Sequence, residues 1–197
     1  MRAFEDYEST AEFTPNEKLP AGAYVVRIIR AEDRDNALCI LFDIAEGEYK
    51  DYFKRKLQSD QRNYPDTAKF KGVYRLWYER VGREGDPYAE SSKSRRKTVL
   101  KLIKDENKLN VDYTKEWDGN ALKGAKAAMI FRDQEYDYNG RRGFSAQPYG
   151  LVPMEDFRNG KFTIPEPKRL KADSRSSVSD DFTSGFSDVS DDEDLPF

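Results

Sequence analysis

The sequence predicts a mainly β domain that carries one helical insertion and is followed by a disordered acidic tail. Three observations predict it. Apolar and β-branched residues alternate with polar ones in short runs separated by turn signals. One segment, 94–107, places apolar residues at helical spacing with particular clarity. The charges are also segregated. Residues 174–197 hold seven acids against Arg175 alone, a net of −6, whereas the preceding residues hold 33 bases and 30 acids, a net of +3.

Residues 1–20 read as an irregular arm, with Pro15 and Pro20 near its end and Phe4, Tyr7 and Phe13 as anchors onto the body. Tyr24, Val25, Val26, Ile28 and Ile29 suit a first strand, and a polar turn follows over 33–36. A second strand over 37–44 puts Leu38, Ile40, Phe42 and Ile44 on one face, with Cys39 on the other as small packing. Gly47 marks a turn or bulge, and 49–57 continues the sheet into a third stretch. Residues 59–68 read as a polar loop around Pro65. Alternation supports a strand over 73–78, although Phe70, Tyr74, Trp77 and Val81 fit a helix over 67–81 nearly as well. Gly82, Gly85 and Pro87 break either element.

Val99, Leu102, Ile103 and Glu106 mark the apolar line of the 94–107 helix, and Asn107 can end it. Tyr113 and Trp117 are structural anchors of the polar stretch behind it. Leu122-Lys123-Gly124 leads into a further strand. Asn139-Gly140 is the strongest hairpin signal in the chain, with 144–151 as the returning strand. Residues 152–161 are polar, and Phe162, Ile164 and Pro165 seal the end of the body. This order suits an OB-fold-like five-stranded Greek-key barrel with the helix between the third strand and the last pair, an α+β sheet of other topology being the alternative. The organisation is then an arm over 1–20, a domain over 21–167, and a tail over 168–197 opened by the basic hinge of Lys168, Arg169 and Lys171.

Composition excludes several functions. The absence of histidine removes Ser-His-Asp and Cys-His catalysis and histidine metal ligation. A single cysteine removes intramolecular disulfides and CxxC sites. No run approaches the roughly 20 apolar residues of a membrane span. Glu5, Asp6 and Glu8, with no apolar run beside them, argue against a signal peptide. A soluble protein of a reducing cytoplasm is expected. Asp133, Glu135 and Asp137 could be imagined holding magnesium for a nuclease, but a solvated strand face is the better reading, and no GxxxxGK[ST] phosphate loop exists. No enzyme, catalytic residue, cofactor or metal is expected.

The tail is too poor in apolar residues to repay ordering. It closes on Asp194-Leu195-Pro196-Phe197, preceded by Asp191, Asp192 and Glu193. An acidic run ending in a proline-stiffened aromatic beside a terminal carboxylate has the chemistry of a linear ligand. Phe197 and Leu195 suit an apolar pocket, and the carboxylates suit Arg or Lys.

These residues resemble the C-terminal tip of bacterial and phage single-stranded DNA-binding proteins, which is acidic and ends in Asp-Leu-Pro-Phe or Asp-Ile-Pro-Phe. The body is similar to the divergent members found in Gram-positive phages and mobile elements. That likeness rests on Pro20-Ala21-Gly22-Ala23-Tyr24, Leu122-Lys123-Gly124, the 132–143 hairpin, and the closing Phe157, Gly160, Phe162 and Pro165. The resemblance implies an OB domain that holds single-stranded DNA with little sequence preference during replication or recombination. It implies a tip, Asp191 to Phe197, that recruits replication, recombination and repair proteins. Localisation would be cytoplasmic, in the host cytoplasm if the protein is phage-encoded. A homo-oligomer is among the expectations, since ordinary bacterial members are tetramers and divergent ones need not be. The alternatives are a phage recombination mediator or annealing accessory, and a tip-mimicking protein that binds host replication factors without DNA.

A sequence-tolerant groove for a single strand needs cations for phosphates and flat rings for bases. The candidates are Tyr49, Tyr52, Phe53, Lys54, Arg55 and Lys56, then Lys71, Tyr74, Arg75 and Trp77, then Tyr136, Tyr138, Arg141 and Arg142 on the hairpin. Trp77 is the leading stacking residue, with Tyr74 and Tyr136 next. Arg95, Arg96 and Lys97 open a helix against its dipole and hint at an external anion.

Overall fold

The computed structural model describes residues 17–78 and 89–170. The arm anchors Phe4, Tyr7 and Phe13, the breakers Gly82, Gly85 and Pro87, Val81, hinge residue Lys171, and the tail with its tip from Asp191 to Phe197 lie outside the described residues.

Five antiparallel strands form one open sheet in the order β3-β2-β1-β4-β5. β1 spans Gly22–Arg34 and β2 spans Ala37–Ile44. The two residues between them, Asp35 and Asn36, both have positive φ, the geometry of a two-residue hairpin turn that Asn and Asp tolerate. Every residue of β2 is buried. Leu38, Ile40, Phe42 and Ile44 enter the main core, while Ala37, Cys39 and Leu41 pack on the opposite face under Phe70 and Val73. Cys39 is therefore packing, as its position in the alternation indicates.

Residues 49–57 do not extend the sheet. The helix α1, Tyr52–Asn63, begins there and also takes up the first part of the expected 59–68 loop. Its start is dictated from β2. The buried Asp43 carboxylate accepts the N–H groups of Ile44 and Phe53 at 2.9 Å and of Lys54 at 3.0 Å. An anion at the positive end of a helix satisfies donors that have no intrahelical partner. This capping and the burial of Tyr52 and Phe53 override the strand preference of aromatic residues.

The segment over 73–78 is resolved as strand β3, Val73–Trp77, rather than helix. Helix α2, Ala89–Asn107, starts earlier than its apolar pattern suggests, and it buries Val99, Leu100 and Ile103, with Leu100 taking the place expected of Leu102. Asn107 ends it. The Asn107 amide donates to the carbonyls of Ile103 and Lys126 and accepts the Lys126 N–H, and Lys108 follows with positive φ.

Tyr113 and Trp117 meet edge to face at 5.2 Å and pack on the core. A 3₁₀ turn, Gly119–Leu122, then lies so close to β1 that a Cβ at Gly119 would fall 1.9 Å from the Ala31 carbonyl oxygen. β4, Lys126–Tyr138, and β5, Arg141–Val152, are joined through Asn139 and Gly140, both at positive φ. A short helix α3, Met154–Arg158, interrupts the expected polar segment, and Phe157 stacks with Phe162 at 5.9 Å.

The centre of the core is aromatic. Phe42 meets Phe53 at 5.4 Å and Phe131 at 5.9 Å, tying β2, α1 and β4 together. Such pairs add about 0.5–1.5 kcal/mol each beyond their burial. No helix among the described residues is long and apolar enough to cross a membrane.

Candidate nucleic-acid interface

β3 and β5 are the two ends of the sheet, and no ladder joins them. They nevertheless face each other across a groove of about 160 Å³, lined on one side by Arg75 and Trp77 of β3 and on the other by Arg132, Gln134, Gln147 and Tyr149. α2 spans the seam. Arg96 donates to the Trp77 carbonyl at 3.1 Å, and Arg95 donates to the Tyr149 carbonyl. That carbonyl is reachable because Tyr149 is the extra residue of a bulge: Ile130 pairs with Gly150 and Phe131 with Pro148. Arg95 and Arg96 thus each donate to a backbone carbonyl, and Arg95 also lines the groove.

Alternation sorts β3. Tyr74 and Leu76 lie in the core at 3% and 2% exposure, while Trp77 is 39% exposed at the end of the strand, opposite Ala37. The Arg96 guanidinium also lies 4.7 Å from the centre of the Tyr78 ring. The Tyr78 hydroxyl donates to the Asp33 carboxylate. Burial, then that hydrogen bond and the Asp33 charge, push the Tyr78 pKa up to about 12.

The other wall belongs to an arm, residues 132–147, that runs beyond the last pair of β1 with β4 at Phe131. Directly opposed residues of an antiparallel ladder share a face. Arg132, Gln134, Tyr136 and Tyr138 of β4 therefore share one with Gln147, Ser145, Gly143 and Arg141 of β5. This face holds no acid and exposes the rings of Tyr136 and Tyr138 by 41% and 43%. Arg132 packs its guanidinium 4.8 Å from the centre of the Tyr149 ring. The reverse face carries Asp133, Glu135 and Asp137 with Ala146, Phe144 and Arg142. Arg142 pairs with Asp137 at 2.7 Å there, so its place is on the acidic side. Among the described residues no group of three or more acids or cysteines is arranged to hold a metal ion.

Of the sequence candidates, Arg75, Trp77 and Tyr74 line the groove itself, and Tyr136, Tyr138 and Arg141 lie further along the arm on the same ladder face as the lining residues Arg132, Gln134 and Gln147. It does not gather the rest. Tyr52 and Phe53 are core residues of α1, and the Tyr52 hydroxyl donates to the Glu17 carbonyl and accepts the Leu19 N–H. Burial raises the Tyr52 pKa. Tyr74 borders the groove but its side chain is buried in the core, and Tyr49 is a half-buried ring packed edge-on to Tyr24 at 5.8 Å. Lys54, Arg55 and Lys56 ride on α1 outside the groove lining, Arg55 pairing with Glu17 at 3.0 Å. Lys71 pairs with Asp60 at 3.4 Å.

Arg132, Gln134, Gln147 and Tyr149 were missed. The signal for the first three is present in the chain. A two-residue turn at Asn139-Gly140 fixes the register, and counting back from it puts them on the face of Tyr136. Chemically, the arrangement offers cations for phosphates, exposed rings for planar bases, and two neutral amides for hydrogen bonds to base edges. No family model matches the chain, and no curated protein matches it.

Proposed function

We propose that the protein binds single-stranded DNA with little base preference and recruits partner proteins through its acidic C-terminal tip. The observation that carries the binding half is the groove between β3 and the arm. Arg75 and the exposed ring of Trp77 line it from β3, Arg132, Gln134 and Gln147 line it from the arm, and the same acid-free face of the arm continues outward with Arg141 and the exposed rings of Tyr136 and Tyr138. A single strand presents spaced charges and unstacked bases, and this interleaving is complementary to both.

An OB fold is the reading of the sheet that suits this role. It is supported by β1 pairing with both β2 and β4 and by helix α2 between β3 and β4, the chain running β1-β2-α1-β3-α2-β4-β5 with α1 as an added helix. A seam open between β3 and β5 agrees with a barrel that is only partly closed. In OB folds the second and third strands and the turns after the first and fourth strands hold oligonucleotides. Trp77 stands at the first of those turns and Tyr138 at the second. The tip half rests on the sequence Asp191 to Phe197.

The deciding experiment titrates the purified chain into fluorescent oligo-dT of about 35 nucleotides and into matched duplex at two salt concentrations. Tight, salt-sensitive binding to the single strand with far weaker duplex binding is expected. Absence of single-strand binding at low salt refutes the groove reading. Removal of residues 174–197 should leave or tighten DNA binding and abolish recruitment of proteins that hold Phe197. Loss of DNA binding in that truncation overturns the two-part organisation.

A further inference from the structure

β1 pairs with β4 only from Lys126 to Phe131. Past that point β4 has β5 on one flank, and a two-stranded hairpin is at best marginally stable in water. The other flank is an open backbone edge unless something covers it. A segment from far along the chain does so. Lys168 lies beside Gln134 in parallel pairing. Its N–H donates to the Asp133 carbonyl at 2.8 Å, and its carbonyl accepts the Glu135 N–H at 2.8 Å. The Leu170 N–H then donates to the Glu135 carboxylate at 3.1 Å. Lys168 and Leu170 are half-buried while Arg169 between them is exposed, as in a strand laid along an edge.

We infer that residues 168–170 are the third strand of the arm and position it for nucleic-acid binding. The segment read from sequence as a basic hinge is tied at both 168 and 170, so the sheet reaches further along the chain than Pro167. Its recognition chemistry is main-chain pairing, completed by the Glu135 carboxylate of the acidic face. Arg132, Gln134, Tyr136 and Tyr138 lie on the opposite face of the arm, and Arg132 and Gln134 line the groove. Residues 168–170 therefore lie beside β4, the strand that carries the candidate stacking rings Tyr136 and Tyr138. An arm that loses this strand spends less time in the binding geometry, and affinity falls by the fraction lost. The inference rests on the proposed DNA-binding role of the arm, although its structural half can be read without DNA.

The test uses the full chain with Lys168→Pro and Lys168→Ala. Proline removes the N–H that the Asp133 carbonyl accepts, while alanine keeps it. Both remove the same charge, so their long-range attraction for phosphate is equal. Two quantities are read: hydrogen exchange at the Glu135 amide, with Ile28 and Phe42 amides reporting the intact core, and affinity for oligo-dT. Lys168→Ala should keep the Glu135 amide protected. Lys168→Pro should expose it and bind oligo-dT roughly tenfold more weakly than the alanine variant. Leu170→Pro, which removes the bond to the Glu135 carboxylate but keeps both main-chain bonds of Lys168, should shift both in the same direction by less. A protected Glu135 amide in Lys168→Pro, or equal affinities in the two Lys168 variants, overturns the inference. If the parent itself does not bind oligo-dT, the exchange data still decide whether the third strand exists, and the DNA reading fails separately.

Discussion

The ring of Tyr136 lies against the backbone of Gly143, its direct partner across the β4–β5 ladder. A Cβ at Gly143 would stand 2.7 Å from the Tyr136 hydroxyl oxygen and 2.9 Å from Cζ. Glycine thus seats the ring on the arm and leaves it 41% exposed. Gly143→Ala must displace the ring, and because the obstacle is the far end of a side chain, the fold should absorb the change. We expect a melting temperature within a few degrees of the parent and oligo-dT binding weakened toward that of Tyr136→Ala, where a lost stack costs about 1–3 kcal/mol. Parent-like binding by Gly143→Ala would show that the seat is irrelevant.

Trp77 and Trp117 report different places. Trp117 packs edge-on to Tyr113 against the core, whereas Trp77 is 39% exposed at the groove. In a Trp117→Phe chain, oligo-dT should quench the remaining fluorescence; in Trp77→Phe it should not. Trp77→Ala should weaken binding by roughly 1–3 kcal/mol, about 5- to 150-fold. Quenching that survives Trp77→Phe removes Trp77 from the site.

What the sequence made legible is what local patterning controls. Leu38, Ile40, Phe42 and Ile44 share the main core because a strand's faces alternate whatever covers them. The hairpin at Asn139-Gly140 was legible because few other residue pairs take two positive φ angles cheaply. The failures all depend on partners distant in sequence. Residues 49–57 are strand-like in composition, and the group that starts a helix there is the Asp43 carboxylate of β2. Tyr74 and Trp77 stand on one short strand, and their opposite fates follow from which of its faces the core covers. The carbonyls that Arg95 and Arg96 reach belong to β5 and β3, partners that α2's own sequence does not announce.

Asp43 offers a test of fold separate from function. Its carboxylate takes three backbone donors in a buried setting. Asp43→Ala leaves the Phe53 N–H without its acceptor beside the Phe42–Phe53 pair, and each such unsatisfied buried donor costs about 1–3 kcal/mol. Asp43→Asn keeps one acceptor oxygen and should cost less. Urea unfolding should rank the parent above Asn and Asn above Ala. Oligo-dT affinity of the folded variants should be unchanged, because Asp43 does not line the groove.

Tyr78 sets an alkaline limit. Its pKa is raised from 10.0 to about 12 by burial and by the Asp33 carboxylate that accepts its hydrogen bond. The folded state holds this proton more tightly than the unfolded chain does. The stabilisation is therefore fully present below about pH 10 and is lost as pH rises through about 12. Tyr78→Phe deletes that term while retaining a ring beneath Arg96. Urea midpoints at about pH 8 and about pH 11 should fall further in the parent than in Tyr78→Phe. Equal falls would mean that Tyr78 does not govern the transition; because burial also raises Tyr24, Tyr52 and Tyr113, the comparison must be between variants.

Arg141 and Arg142 are neighbours in sequence with opposite expectations. Arg141 stands across from Tyr138 on the acid-free face, whereas Arg142 stands across from Asp137 and pairs with it at 2.7 Å. If the groove face meets phosphates, Arg141→Ala should weaken oligo-dT binding and lower the slope of log affinity against log salt by roughly 0.7, the value for one contact on a single strand. Arg142→Ala removes a cation already neutralised on the reverse face. Its salt slope should match the parent's, and its affinity should change far less than that of Arg141→Ala. Net charge alone predicts equal effects for the two variants, so the difference between them isolates the face. An Arg142→Ala loss equal to or greater than that of Arg141→Ala would place the nucleic acid on the wrong side of the arm for this proposal.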